Sequence, residues 1–125
     1  YQQALVELEH GHKTTHWIWY VFPQLKGLGH SAYAQYYGIA DADEASAYLA
    51  HPLLDSRLRE AAHAVLTHGG KDIEAVMGGH IDTLKLRSSM TLFDAVCPND
   101  VFGKVLDTFY KGNKDELTIE RMKKR

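Results

Sequence analysis

His16-Trp17-Ile18-Trp19-Tyr20-Val21-Phe22-Pro23-Gln24 is the stretch on which the fold turns. Both tryptophans of the chain, a tyrosine and a phenylalanine fall within six residues, between a histidine and a Pro-Gln turn. A cluster this bulky in a 125-residue chain is either the centre of the core or the wall of a pocket. Trp17, Trp19 and Val21 alternate with Ile18, Tyr20 and Phe22, a pattern that suits a buried strand. No other segment offers a clear partner strand, however, and a lone strand leaves its backbone groups unpaired. The stretch is therefore expected to be a short buried helix that ends before Pro23, because the residue preceding a proline is driven out of helical backbone.

The flanking segments read as short helices separated by caps. Upstream, Tyr1, Ala4, Leu5 and Leu8 recur at helical spacing, and Gly11 suits a C-cap. The chain opens directly in this pattern without a methionine, so further sequence is expected before Tyr1. Thr14 or Thr15 is the candidate cap for the aromatic helix. Downstream, Gly27-Leu28-Gly29 marks a loop, and Ser31 is expected to cap a short helix through Tyr37 that Gly38 closes. Asp41 and Glu44 form a capping box for a helix to about Ala50. Pro52 opens the next, since proline is well tolerated at the first helical position. Leu54, Leu58, Ala61, Ala62 and Val65 give that helix one apolar face, and Gly69-Gly70 ends it.

Asp72 can cap a short helix containing Ile73, Val76 and Met77, closed by Gly78-Gly79. Asp82 is expected to cap a helix to about Val96, before Pro98. Asn99 is expected to cap another, with Val101, Phe102, Val105, Leu106 and Phe109 inward and Gly112 at its end. Asp115 can open a last, more polar helix. The expectation is an all-α single domain over residues 1–125, a compact bundle of about seven short helices.

Composition narrows the functional classes. The formal charge is −2, with 14 basic against 16 acidic residues, so no global field attracts nucleic acid and none is expected as a partner. The basic run Arg121-Met122-Lys123-Lys124-Arg125 reads as a solvated terminus. Cys97 is the only cysteine, so no internal disulfide is possible and a cytoplasmic setting is expected. No apolar run approaches a membrane span. Of the eight histidines, His12 and His16 stand four apart, as two ligands on one helix would, but Gly11 and Thr14-Thr15 interrupt any helix there. No metal site and no cofactor are expected.

Two constellations carry candidate chemistry. His16, Trp19 and Tyr20, with Gln24 close behind, could line a pocket for a flat ring, the aromatics stacking and the histidine exchanging a proton near neutral pH. Core packing of at least one tryptophan is the competing reading. The second constellation is Lys85-Leu86-Arg87-Ser88-Ser89. On a helix Lys85, Ser88 and Ser89 share a face, while Arg87 points elsewhere. A lysine charge beside two hydroxyls suits a phosphate or carboxylate, and Arg87 could fork onto an anion. The competing reading is structural: the serines permit close helix packing, and Arg87 pairs with Asp94, Glu60 or Asp55. No catalytic residue is identifiable, because nothing marks an oxyanion hole or an activated nucleophile.

The order Gly11-x-Lys13-x-x-His16-Trp17-x-Trp19-x-x-Phe22-Pro23-Gln24-Leu25-x-Gly27-Leu28-Gly29-x-Ser31 resembles the opening signature of the mainly bacterial domain-of-unknown-function family 1810. Tyr37-Gly38-Ile39, the run from Glu44 to Leu58 and Lys85 to Phe93 fit the same family. The resemblance spans nearly the whole chain. It implies a compact helical fold in which one central helix is surrounded by others, and it implies no activity. Some members carry a calpastatin label, but nothing in these residues supports protease inhibition. A more diffuse likeness, through Gln35-Tyr36, Glu44 to Leu49, Pro52-Leu53 and Leu66-Thr67, is to a helical family linked to NAD and ADP-ribose metabolism. No catalytic residue carries across from it.

The expected function is the binding or processing of a small phosphate-bearing, nucleotide-like ligand where the two motifs converge. The alternative is a non-enzymatic protein-interaction module presenting an apolar patch that includes Tyr33, Tyr36 and Tyr37. Oligomeric state is not legible. Where the His16 and Arg87 side chains point separates the two readings.

Overall fold

The structure, a computed structural model, describes residues 1–28 and 32–123, leaving aside the side chain of Ala34. Among the described residues it is all-α, with nine helices where the sequence suggested about seven. They are α1 (Gln2–Glu9), α2 (Ile18–Val21), α3 (Ala32–Tyr37), α4 (Ala42–Ala50), α5 (Pro52–Leu66), α6 (Ile73–Met77), α7 (His80–Val96), α8 (Val101–Tyr110) and α9 (Glu116–Lys123). Each of the nine corresponds to a segment that the sequence marks as helical, so the difference lies in the count and not in the elements; α2, α3 and α6 are pieces of one or two turns, too short to stand without tertiary support. The only extended pairing among the described residues is an isolated parallel bridge between Leu25 and Ile39, which ties the two ends of the segment carrying α3 together.

Helix α7 is the axis of the bundle. Every residue from Ser88 to Asp94 is buried, so that stretch is enclosed on all sides rather than along one stripe. It packs against α2, α4, α6, α8 and α9. Phe93 sits at its centre, with rings of Tyr48 from α4 and Phe102 from α8 against it at 5.4 and 5.6 Å between centroids. Helix α5 closes the other side, burying Leu58, Ala61, Ala62 and Val65. Arg59 fastens α5 to α8: its guanidinium bonds Asp55 and Asp100, each at 2.8 Å, and lies over the Phe102 ring.

Several caps form as the sequence implies, and others do not. Asp41 accepts from the Glu44 amide, and the Glu44 carboxylate reaches back to accept the Ala40 amide. His51, Asp72 and Asp115 each accept a first-turn amide of the helix that follows, those of Leu54, Glu74 and Thr118. Ser31 lies outside the described residues. Neither Thr14 nor Thr15 caps α2, whose N-cap is Trp17 itself. Asn99 does not cap α8; it takes φ 61°, and Asp100 accepts the Val101 amide. Asp82 does not cap α7. That helix starts two residues earlier, after Gly79, with no side-chain cap, and the Asp82 carboxylate is drawn to lysines instead.

Candidate functional site

The site begins with a glutamate that composition alone hides. Ala4, Glu7 and Leu8 share the inward face of α1, so Glu7 stands in an apolar stripe and is buried. A buried carboxylate must find hydrogen-bond donors. Glu7 finds them in the loop that follows its own helix. Its Oε1 accepts from the Thr14 amide at 2.7 Å, the Thr15 amide at 3.0 Å and the Trp17 indole N–H at 3.0 Å. Its Oε2 accepts from the Thr15 hydroxyl and the Gln3 amide. Burial pushes the Glu7 carboxyl up, but the donors from Thr15, Gln3, Thr14 and Trp17 together outweigh it and hold the group well below the usual carboxylate range.

This clamp determines which tryptophan becomes core. With Trp17 turned inward onto Glu7, the single turn of α2 presents Ile18, Val21 and Phe22 to the interior at i, i+3 and i+4. Trp19 and Tyr20 then fall on the opposite side of the turn. Trp17 is 1% exposed and Tyr20 is 45% exposed. Trp19 is half-buried because α3 lays Tyr33 on it, stacked at 5.0 Å between centroids with planes 26° apart. Tyr37, one turn along α3, stacks on Tyr33 and tilts against Tyr20.

The second motif reaches the first through one residue. The Lys85 ammonium lies over the Trp19 ring, 4.7 Å from its centroid. Beneath it, Asp82 is held by Lys13, whose buried ammonium is 2.7 Å from the carboxylate and donates to the Thr15 carbonyl. Lys85 stands 3.7 Å from the same carboxylate. Two ammonium groups therefore face one carboxylate, leaving the group one positive charge in excess. Gly78, at φ 78°, lets α6 turn sharply into α7 with its α-carbon against the Lys13 carbonyl.

Two clefts result, sharing His16 and Trp19 as a common wall. One, of about 380 Å³, is lined by His16, Trp19, Tyr20, Tyr33 and Tyr37. The other, of about 300 Å³, runs from Lys13 and His16 past Trp19 to the uncapped start of α7 at Gly79, His80 and Ile81. The first-turn amides of a helix without a side-chain cap are unspent donors carrying partial positive charge. The chemistry is thus divided: rings and phenol hydroxyls on one side, cations and backbone amides on the other.

The remaining residues singled out by the sequence go elsewhere. The Ser88 hydroxyl donates to Asp115 at 2.9 Å and to the Leu84 carbonyl. Arg87 faces the same carboxylate at 3.9 Å, and not Asp94, Glu60 or Asp55, and it lines neither cleft that His16 lines, so the expected convergence of these two side chains does not occur. Thr91 accepts the Asp115 amide, so this part of the motif docks the start of α9 onto α7. Ser89 is fully buried, and its hydroxyl has no partner among the described residues. Gln24 is half-buried beside the Leu25–Ile39 bridge, its carbonyl accepting the Ile39 amide, and it lines neither cleft.

The reason is helical geometry. Lys85 and Arg87 are two residues apart, on opposite sides of α7, while Ser88 and Ser89 are one turn deeper into the bundle. Lys13, Asp82, Gly79 and Glu7 were not anticipated as site residues. The one available signal was a glutamate within the apolar stripe of α1.

No group of three or more histidine, cysteine, aspartate or glutamate side chains suited to a metal ion occurs among the described residues. No helix among them is long and apolar enough to cross a membrane.

Comparison with known proteins agrees with this architecture. The chain is similar over its full length to the crystal structure of the conserved hypothetical protein Rv1873 from Mycobacterium tuberculosis, with 43% identity and a TM-score of 0.94, covering 89% of that chain. No curated protein matches it. The family model described as protein of unknown function (DUF1810) matches residues 1–122, and the chain belongs to that family.

Proposed function

We propose that this protein binds a small phosphate-bearing, nucleotide-like ligand, of the ADP-ribose or NAD type, across the paired clefts. A flat ring would lie among His16, Trp19, Tyr20, Tyr33 and Tyr37. The anionic part would lie toward Lys13, Lys85 and the start of α7. The observation that carries this reading is the Lys85 ammonium over the Trp19 ring, which brings an excess cation of one motif onto the aromatic wall of the other. Pockets of a few hundred Å³ with aromatic walls and a few convergent polar groups are the usual form of small-ligand sites.

The test is a thermal-shift screen against nucleotides, ADP-ribose, NAD and sugar phosphates with the native protein and Lys85→Ala. A ligand-dependent rise in Tm that disappears in the variant supports the reading. A rise that survives Lys85→Ala places the anion elsewhere and overturns it.

A second reading is favoured by the exposure of the α3 rings, Tyr33 at 59% and Tyr36 at 80%. A protein-interaction surface would present such a patch. It predicts no Tm rise with any small ligand and loss of a protein partner on Tyr36→Ser.

A further inference from the structure

The loop between α1 and α2 is tied down on both sides of one free group. Thr14 and Thr15 upstream and Trp17 downstream donate to Glu7. The Lys13 amide donates to the Val76 carbonyl, and its ammonium is spent on Asp82 and Thr15. Between them the His16 imidazole is exposed, and it has no hydrogen-bond or ion-pair partner among the described residues. It is also common to both clefts. A loop tied to Glu7 and Asp82 on both sides fixes the backbone that carries the ring, which reduces the chain entropy lost on binding.

We propose that His16 is the specificity-determining residue of the paired clefts, an imidazole that takes up a proton when the ligand binds and recognises the charged linkage between the ligand's ring and its anionic part. The inference rests on the ligand reading above and deepens it. The preferred class is a nucleotide whose phosphate diester stands close to the ring, at the wall the two clefts share.

The charged and polar groups that line the clefts together with His16 are few. From its own loop comes the Lys13 ammonium. From α7 come Asp82 and Lys85, with His80, whose imidazole meets Glu74 at 2.9 Å. From α2 and α3 come the phenols of Tyr20, Tyr33 and Tyr37. An anion bound at the wall the clefts share favours imidazolium. By linkage, affinity must then rise as pH falls through the range in which histidines titrate.

The experiment is calorimetric titration with ADP-ribose from about pH 5.5 to about pH 8.5. Its pyrophosphate diester has no group that titrates in that window, so any pH dependence belongs to the protein. The native protein, His16→Gln and His80→Gln are compared. The expected result is tighter binding at the acid end than at the alkaline end for the native protein. His80→Gln should retain that dependence. His16→Gln should bind with the weaker, alkaline affinity at every pH.

Binding by the native protein that is flat with pH overturns the role of His16 and leaves the site standing. The same holds if the dependence follows His80→Gln instead. No binding of ADP-ribose at any pH overturns the site itself, and this inference with it.

Discussion

The Trp17 indole N–H donates to the Glu7 carboxylate at 3.0 Å inside the core, across ten residues of chain. Through this bond a buried acid determines the orientation of the aromatic cluster, and thereby which aromatic rings reach the surface.

Replacing Glu7 by alanine strands the amides of Thr14 and Thr15 and the indole of Trp17. Each unsatisfied buried donor costs about 1–3 kcal/mol. The indole donor is buried and the two amides part-buried, so urea unfolding of Glu7→Ala should show a loss of about 2–4 kcal/mol. A loss under about 1 kcal/mol would mean that water replaces the clamp.

The same group links stability to acid. Its folded pKa lies below its unfolded one, so its contribution is complete above the ordinary glutamate range and is lost as pH falls toward the folded value. The native urea midpoint should drop as pH is lowered below about 4. Glu7→Gln, less stable at neutral pH, should drop less over the same interval. Parallel curves for the two proteins would place the acid sensitivity elsewhere.

Lys85→Ala and Trp19→Ala should fold and fail to bind. A cation–ring contact between a partly exposed ammonium and a half-buried ring contributes about 1–2 kcal/mol, so Lys85→Ala should unfold within about 2 kcal/mol of the native protein. The ligand-dependent Tm rise should vanish in both. Collapse of Trp19→Ala would show Trp19 to be core and remove it from the binding wall.

Ser88→Ala should behave in the opposite way. It removes a buried hydrogen bond to Asp115 that seats α9, for a loss of about 1–2 kcal/mol. Ligand binding should be unchanged, because neither Ser88 nor Asp115 lines the paired clefts. Calorimetry on the folded variant checks this; a loss of affinity would return the serines to the site.

Gly78 is a backbone test of the same region. At φ 78° an added Cβ would stand 2.6 Å from the Lys13 carbonyl oxygen. Gly78→Ala should cost at least about 1–3 kcal/mol from strain, and weaken binding by moving Lys13. Gly70→Ala, where the space is open, is the matched control and should be near neutral.

Much of this molecule was legible in order. Pro52 does open α5, Asp72 does cap α6, Gly78 does close it, and the aromatic stretch is a short helix ending before Pro23. What misled were the residues whose polar groups had a choice. Asp82 reads as a cap, yet Lys13 reaches it from a loop distant in sequence. Ser88 and Arg87 read as anion donors, yet Asp115 claims both. In the site, His16, Trp19, Tyr20 and Lys85 were named from residue type and do line the clefts, whereas Glu7, Lys13 and the start of α7 were not.

The amino-acid sequence by itself determined that this chain is helical, where most of its helices begin and end, and which face of each is apolar. Those properties rest on interactions among residues within a turn or two of each other. Which tryptophan is fully buried, which lysine meets the half-buried one, and which carboxylate Ser88, Thr15 and Arg87 answer were decided only by tertiary structure. A polar side chain is satisfied by whichever partner the packed helices bring within about 3 Å, and that partner carries no mark of its distance along the chain.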